Sequence, residues 1–327
     1  MKNSKKQWWI IVPLVLLTLF VMSGTLFLAL SRPVDPQTQE KERFVIPKGQ
    51  AVSVIGSRLQ TAGLIKNSLV FQVIVKKENL DNKIQAGSFD LSPNMSTAEI
   101  AFELTQGTND IWVTIPEGWR REEIAQSLAE QELEVFSADE FLSLTAGDEG
   151  RLFPDTYLIP RQASAEQIGL LLGQTFERKV VKGLADEIVS SDYSFDEALV
   201  MASIVEREAR GEEELPVVAG ILWNRVELGM PLQADATLQY IKGYSGVEDS
   251  WWVPPTAADK TLNSIYNTYR YPGLPPQPIA NPGLMAIEAA LHPAVTDYLY
   301  YLHDRTGEIH YARTLEEHNK NVATYLQ

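Results

Sequence analysis

The 327-residue sequence contains no cysteine and only four histidines. Without thiols there is no disulfide framework, no thiolate metal site, no thiol nucleophile and no lipid-modified N-terminal cysteine. His292, His303, His310 and His318 are not spaced as metal ligands, so no metal and no other cofactor is expected. There is no G-x-S-x-G elbow, no Walker or G-x-G-x-x-G loop and no H-E-x-x-H, which removes the commonest hydrolase, nucleotide and zinc-protease chemistries. Basic residues are also scarce. Lys and Arg number 28 against 43 Asp and Glu, a net charge of −15, and nucleic acid, which needs a basic face, is not an expected partner.

What is present points to a folded chain of about two domains, 45% hydrophobic and 22% charged. Trp8 to Leu30 is an uncharged run of 23 residues. As a helix it spans roughly 34 Å, enough for a ~30 Å hydrocarbon core. Lys2, Lys5 and Lys6 precede it and only Arg32 follows closely, so the positive-inside rule predicts a cytoplasmic stub at 1–7 and an exported remainder. A cleaved signal peptide fits less well, because its apolar region is shorter and "LALSRP" is a poor cleavage context. The expected location is therefore the cytoplasmic (inner) membrane, crossed once, with the body outside. Three lysines and no acid in the first 30 residues leave −18 on the rest.

Residues 31–42 read as a polar linker with two prolines. An internal repeat follows: "VIPKGQAVSVIGSRL" (45–59) and "TIPEGWRREEIAQSL" (114–128) align at an offset of 69. Ile46/Ile115, Pro47/Pro116, Gly49/Gly118, Ile55/Ile124 and Leu59/Leu128 match, predicting a strand, a Pro-x-Gly turn and a helix in each copy. Second helices are expected at 67–75 and 137–144, the latter capped by Ser137 with Glu140, and returning strands at 86–91 and 151–160. This β-α-α-β order resembles LysM-like modules, which grip glycan chains. From Ser164 the chain reads as mainly helical (164–182, 194–210, 213–228, 281–291), with a long irregular stretch at 229–280 and a final hairpin (298–303, 308–313) and helix. The predicted fold class is α+β: a transmembrane helix at 8–30, a LysM-like part at 43–112, and a catalytic domain at 113–327 that begins with the second repeat, 113–160.

With other chemistries set aside, carboxylates remain. On a helical wheel for 194–210, Glu206 lies among Phe195, Leu199 and Ala202, whereas Glu197 and Glu208 point the other way. A carboxyl group on an apolar stripe loses hydration, which raises its pKa and suits a general acid. Position alone leaves open a structural pair with an arginine such as Arg225 or Arg270. Trp251 and Trp252 suit either stacking on sugar faces or packing of the long loop.

The segments "ASIVEREA" (202–209), "NR" (224–225), "GMPLQAD" (229–235), "YNTYRYPGLPPQPIANPG" (266–283) and "TDYLYY" (296–301) resemble the MltG/YceG-like endolytic murein transglycosylase family. So do "PEGW" (116–119), "FPDTY" (153–157) and "EHN" (317–319), and the resemblance covers the chain from about residue 43. It implies Glu206 as the catalytic acid, with Asn224, Arg225, Gln233, Asp235, Tyr266, Asn267, Thr268 and Asn281 as substrate-binding residues and Gly273 to Pro276 near the site. It departs from the family's "LQ-(Ser/Thr)-D-P-T" at Ala234 and Ala236. The resemblance further implies peptidoglycan glycan strands as substrate, cut within the strand between N-acetylmuramic acid and N-acetylglucosamine to leave a 1,6-anhydro end, beside a peptidoglycan synthase. The alternatives are a non-catalytic glycan-binding scaffold of the cell-wall machinery and a muramidase-type hydrolase, which would need a second carboxylate.

Overall fold

The computed structural model describes residues 4–38, 40–107 and 110–326, with backbone alone for residues 4–11 and Pro13. Lys2, counted in the basic stub, lies outside the described residues. Helix α1 (Ser4–Ser31) contains one segment, Leu14–Ser31, long and apolar enough to cross a membrane, with mean hydropathy 2.3 and none of it buried.

The chain divides into two compact units. One runs to Trp112 and takes in Leu158–Arg161; the other comprises Val113–Tyr157 and the chain from Gln162 onward. In the first, β1 (Glu42–Ile46), α2 (Val52–Thr61), α3 (Ser68–Lys77) and β2 (Gly87–Leu91) follow the predicted β-α-α-β order. β1 and β2 pair antiparallel with Phe44 opposite Phe89. Asn67 starts α3 by accepting hydrogen bonds from the Leu69 and Val70 N–H groups. A helix not anticipated, α4 (Thr97–Glu103), is opened by a capping box between Ser96 and Glu99. Ile46, Ile55, Leu59, Phe71, Leu91, Ile100 and Leu104 form the core of this unit, and Phe27 and Leu30 of α1 pack against it.

β3 (Asp110–Ile115), α5 (Arg121–Ala129), α6 (Ala138–Leu144) and β4 (Asp155–Pro160) form the second copy, with Ser137 capping α6 on the Glu140 N–H. β3 pairs with β4. The helical part consists of α7 (Ala165–Phe176), α8 (Ala185–Ser190), α9 (Phe195–Glu208), α10 (Leu215–Glu227), α11 (Asp235–Lys242) and α12 (Leu284–Leu291). Then come β5 (Tyr300–His303), β6 (Ile309–Ala312) and α13 (Leu315–Tyr325). Two expectations are corrected. The helix expected over 164–182 ends α-helical geometry at Phe176 and runs into a π-helical turn, Glu177–Val181. The stretch 229–280 is not irregular throughout: α11 starts at Asp235 and stops at Gly243, whose φ of +70° ends it, signals masked by the surrounding prolines and aromatics.

Helix α9 is the centre of this unit, with α10, α11 and α12 all packed on it. A capping box between Ser194 and Glu197 fixes its start, and every residue from Ala198 to Val205 is buried. A helix apolar on all sides is enclosed rather than amphipathic. Its last turn, carrying Glu206 and Glu208, therefore meets protein on more than one face.

Candidate active site

Glu206 is half-buried at the C-terminal end of α9, where the helix dipole disfavours negative charge. Its Oε2 accepts a hydrogen bond of 2.9 Å from the N–H of Gly283, the residue that precedes α12. Burial raises the Glu206 pKa; the Gly283 N–H opposes this, the charge of Glu117 adds to it, and Arg207 opposes it. Neither Arg225 nor Arg270 is its partner. Arg225 is spent on the carbonyls of Leu299 and Leu232, both at 2.6 Å.

The wall facing Glu206 is the Pro116–Trp119 turn. Gly118 has φ +74°, a conformation natural only to glycine, and a Cβ there would lie 3.4 Å from Glu206 Cγ and 3.2 Å from Arg207 Nη1. Asn281 holds the turn in place. Its backbone accepts from Gly118 N–H and donates to Trp119 O, both at 2.8 Å. Its side-chain amide donates to Trp119 O (3.0 Å) and Glu149 Oε1 (2.9 Å) and accepts from Leu152 N–H (2.9 Å). Asn281 is fully buried and its side chain is spent on the scaffold. Glu149, which also accepts from Arg121 N–H at the start of α5, has its pKa pushed up to about 8 by burial and then by Glu122, against the pull of Arg120.

Gly283 is needed for a different reason. Its φ of −73° suits any residue, but a Cβ there would fall on the carboxylate of Glu117. Glu117, exposed on the Pro116–Gly118 turn, was not singled out from the sequence; its position opposite Glu206 depends on the NPG segment, which is remote in the chain.

Arg207 turns its guanidinium over the Trp252 ring, 3.9 Å from the centroid, and its Nε is buried without a hydrogen-bond partner. Trp252 donates to Glu123 Oε2 at 2.8 Å. Trp251 lies against Arg120, 4.8 Å from the guanidinium carbon, and Tyr244.

Glu208 corrects the wheel. It points inward, accepting from the Tyr301 hydroxyl at 2.9 Å, and burial raises its pKa, with Asp235 adding to the shift and the Ala236 N–H opposing it. It thus ties the end of α9 to the start of α11. The wheel assumed one solvent face, and this helix has none along its middle.

Of the other candidates, Gln233 and Asp235 are exposed at the start of α11: Gln233 is held at φ +52°, an uncommon conformation for a residue with a side chain, and Asp235 Oδ1 accepts from Tyr269 at 2.6 Å. Tyr266 is half-buried against Tyr240. Asn267 and Thr268 are buried and shape the loop. Asn267 donates to Lys260 O and Leu262 O, and Thr268 Oγ1 accepts from Ala234 N–H and meets Thr237 Oγ1 at 2.9 Å. Ala234 and Ala236, the two departures, are both buried at this junction. Asn224 is not brought to Glu206; it donates to Thr296 O and Tyr298 O beside a cavity of about 300 Å³ lined by Tyr193, Trp223 and His292.

One trio among the described residues, Asp304, Glu308 and His310, has the spacing to hold a metal ion. Asp304 Oδ1 is already occupied by the Thr306 and Glu308 N–H groups, so the trio reads as the lock of the β5–β6 turn.

Residues 44–324 match the YceG-like family. The chain is 32% identical over 327 residues to a protein of Bacillus subtilis (strain 168) named endolytic murein transglycosylase, across 91% of this chain and 88% of that one. It is 30% identical over 333 residues to the protein of the same name from Streptococcus pneumoniae serotype 2 (strain D39), across 90% of this chain, and it spans 60% of that protein's length. The crystal structure of a yceG-like protein from Listeria monocytogenes is similar at a TM-score of 0.58 and 30% identity, over 86% of this chain and 99% of that one. By the extent of these matches, the chain belongs to the YceG-like family.

Proposed function

We propose that the protein is an endolytic peptidoglycan transglycosylase, and that Glu206 is its acid and then its base. The observation that carries this reading is a half-buried carboxyl group at the end of a buried helix, held by one N–H, with its pKa raised by its surroundings. The names of the Bacillus and Streptococcus relatives support the substrate class. Protonated Glu206 donates to the oxygen of the bond between N-acetylmuramic acid and N-acetylglucosamine as positive charge develops at C1. The carboxylate left behind takes the proton of the C6 hydroxyl, whose oxygen closes on C1, giving a 1,6-anhydro end and restoring the acid. Gln233 and Asp235, exposed where α11 meets the end of α9, and Tyr266 are the side chains of this proposal best placed to meet the glycan. Asn267, Thr268, Arg225 and Asn281 support the site from behind.

The β1-α2-α3-β2 order of the first unit supports a LysM-like, glycan-gripping role for it. The apolar run within α1, which lysines precede in the sequence, supports a single-pass anchor in the cytoplasmic membrane with the body outside, near a peptidoglycan synthase. Glu117 lends some weight to a second reading, a muramidase-type hydrolase, because hydrolysis uses two carboxyl groups.

The test is incubation of the full chain in detergent with uncrosslinked glycan strands, followed by mass spectrometry. Internal cuts yielding ends lighter by one water than hydrolysis products are expected, with none from Glu206→Gln. Hydrated ends would favour the muramidase, absence of cleavage by the parent would favour a scaffold, and undiminished cleavage by Glu206→Gln would remove this mechanism.

A further inference from the structure

No step of the proposed reaction uses Glu117. Its carboxylate occupies the space over Gly283 that a Cβ would fill, and Glu206 Oε2 accepts from the N–H of that same residue. Two carboxyl groups from different elements, the Pro116–Gly118 turn and the end of α9, thus meet over a single glycine. The arrangement is fixed from both sides: Gly118 N–H is bonded to Asn281 O, two residues before Gly283.

The charged groups that act on Glu206 are Glu117 from the turn and Arg207 from its own helix; the segment before α12 contributes only the Gly283 N–H. Arg207 is poorly placed to cancel Glu117. Its guanidinium is stacked on Trp252, and its charge is also engaged by Glu123 and Glu208.

We propose that Glu117 is a positioning residue, held over Gly283 by the Pro116–Gly118 turn so that its carboxyl group acts on the Glu206 carboxyl bonded to that same glycine. The proposal rests on the transglycosylase reading for its functional consequence. Two carboxylates at close quarters disfavour each other's charge, and the proton settles on the one that has lost more hydration. Glu117 is exposed and Glu206 is half-buried, so the pair is asymmetric by construction. The turn of the first repeat has Lys48 at the matching position, so the Pro-x-Gly geometry does not itself require an acid there.

Two measurements on the full chain in detergent test this. The first is the pH profile of glycan cleavage for the parent, Glu117→Gln and Glu117→Asp. Loss of the neighbouring charge makes Glu206 ionise more readily, so the alkaline limb of Glu117→Gln is expected about one pH unit lower. Glu117→Asp, which keeps the charge, is expected to restore it. The second is a carbon-13 titration of protein labelled at glutamate carboxyls, with the Glu206 signal identified by its loss in Glu206→Gln; that signal is expected to titrate lower in Glu117→Gln. An unmoved limb together with an unmoved titration overturns the proposal. So does a folded Glu117→Gln protein inactive at every pH with Glu206 titrating as before, since Glu117 would then be a reacting group. If the parent cuts no glycan, the transglycosylase reading fails, and the titration alone decides whether Glu117 holds the proton.

Discussion

Gly49 and Gly118 close the same Pro-x-Gly turn, at φ +75° and +74°, each leading a strand into a helix. Around the first there is little. A Cβ at Gly49 would meet open space, and α2 has Ala51 at its N-cap, without a side-chain cap. Around the second the protein closes in. Gly118 N–H is bonded to Asn281, the side chains of Glu206 and Arg207 stand within 3.4 Å of its Cβ position, and the Arg120 and Arg121 N–H groups are taken by Glu123 and Glu149. One local code therefore makes a surface corner in one unit and the wall of the candidate site in the other. The difference is supplied by distant chain, above all Asn281 to Gly283.

Removing that supply should have the largest effect. Asn281→Ala deletes three buried side-chain hydrogen bonds and strands their partners, an expected loss of about 3 kcal/mol or more in unfolding measurements. The matching change in the first unit, Asn67→Ala, removes only a helix cap and should cost about 1 kcal/mol.

Glu149 comes next, since the first helix, α2, has no side-chain cap. The Glu149 pKa is about 8 in the folded protein against an ordinary value near 4.5, so the folded state holds a proton that the unfolded state has released. That contribution to stability is full below the ordinary value and is lost as pH rises toward 8, at roughly 1 kcal/mol per pH unit. Glu149→Gln, measured by unfolding from pH 5 to 8.5, should flatten this slope; an unchanged slope would mean that Glu149 ionises inside the fold.

The smallest effect is the most direct comparison. Gly49→Ala should cost only the left-handed backbone strain, about 1–2 kcal/mol. Gly118→Ala carries the same strain and adds crowding against Arg207 and Glu206, about 1 kcal/mol more, with slower glycan cleavage. Equal costs and equal activity would mean that the two corners are alike after all.

Much of this was legible along the chain. The repeat, the apolar helix, the cap at Ser137 and the position of Glu206 follow from local spacing. The capping box of α4 is spelled out in "STAE" (96–99), a signal as local as the others. Glu208 was misplaced because a wheel divides a helix into wet and dry faces, whereas α9 is enclosed through its middle. Glu117 was invisible for another reason: it meets Glu206 over Gly283, a remote glycine whose N–H is bonded to Glu206, and no periodicity reports such a meeting. The roles of Asn267 and Asn281 were likewise beyond spacing, because an asparagine that braces a loop and one that grips a sugar look the same until its hydrogen bonds are counted.

The bonds of Asn281 to Trp119 and of Gly283 to Glu206 span 162 and 77 residues. Contacts of that separation form late, after the loops they close have been drawn in. A nascent chain that has produced α9 but not yet residue 283 holds Glu206 without its hydrogen-bond donor and the facing turn without its brace. The proposed site is therefore completed by its longest-range contacts, at the end of folding rather than at its start.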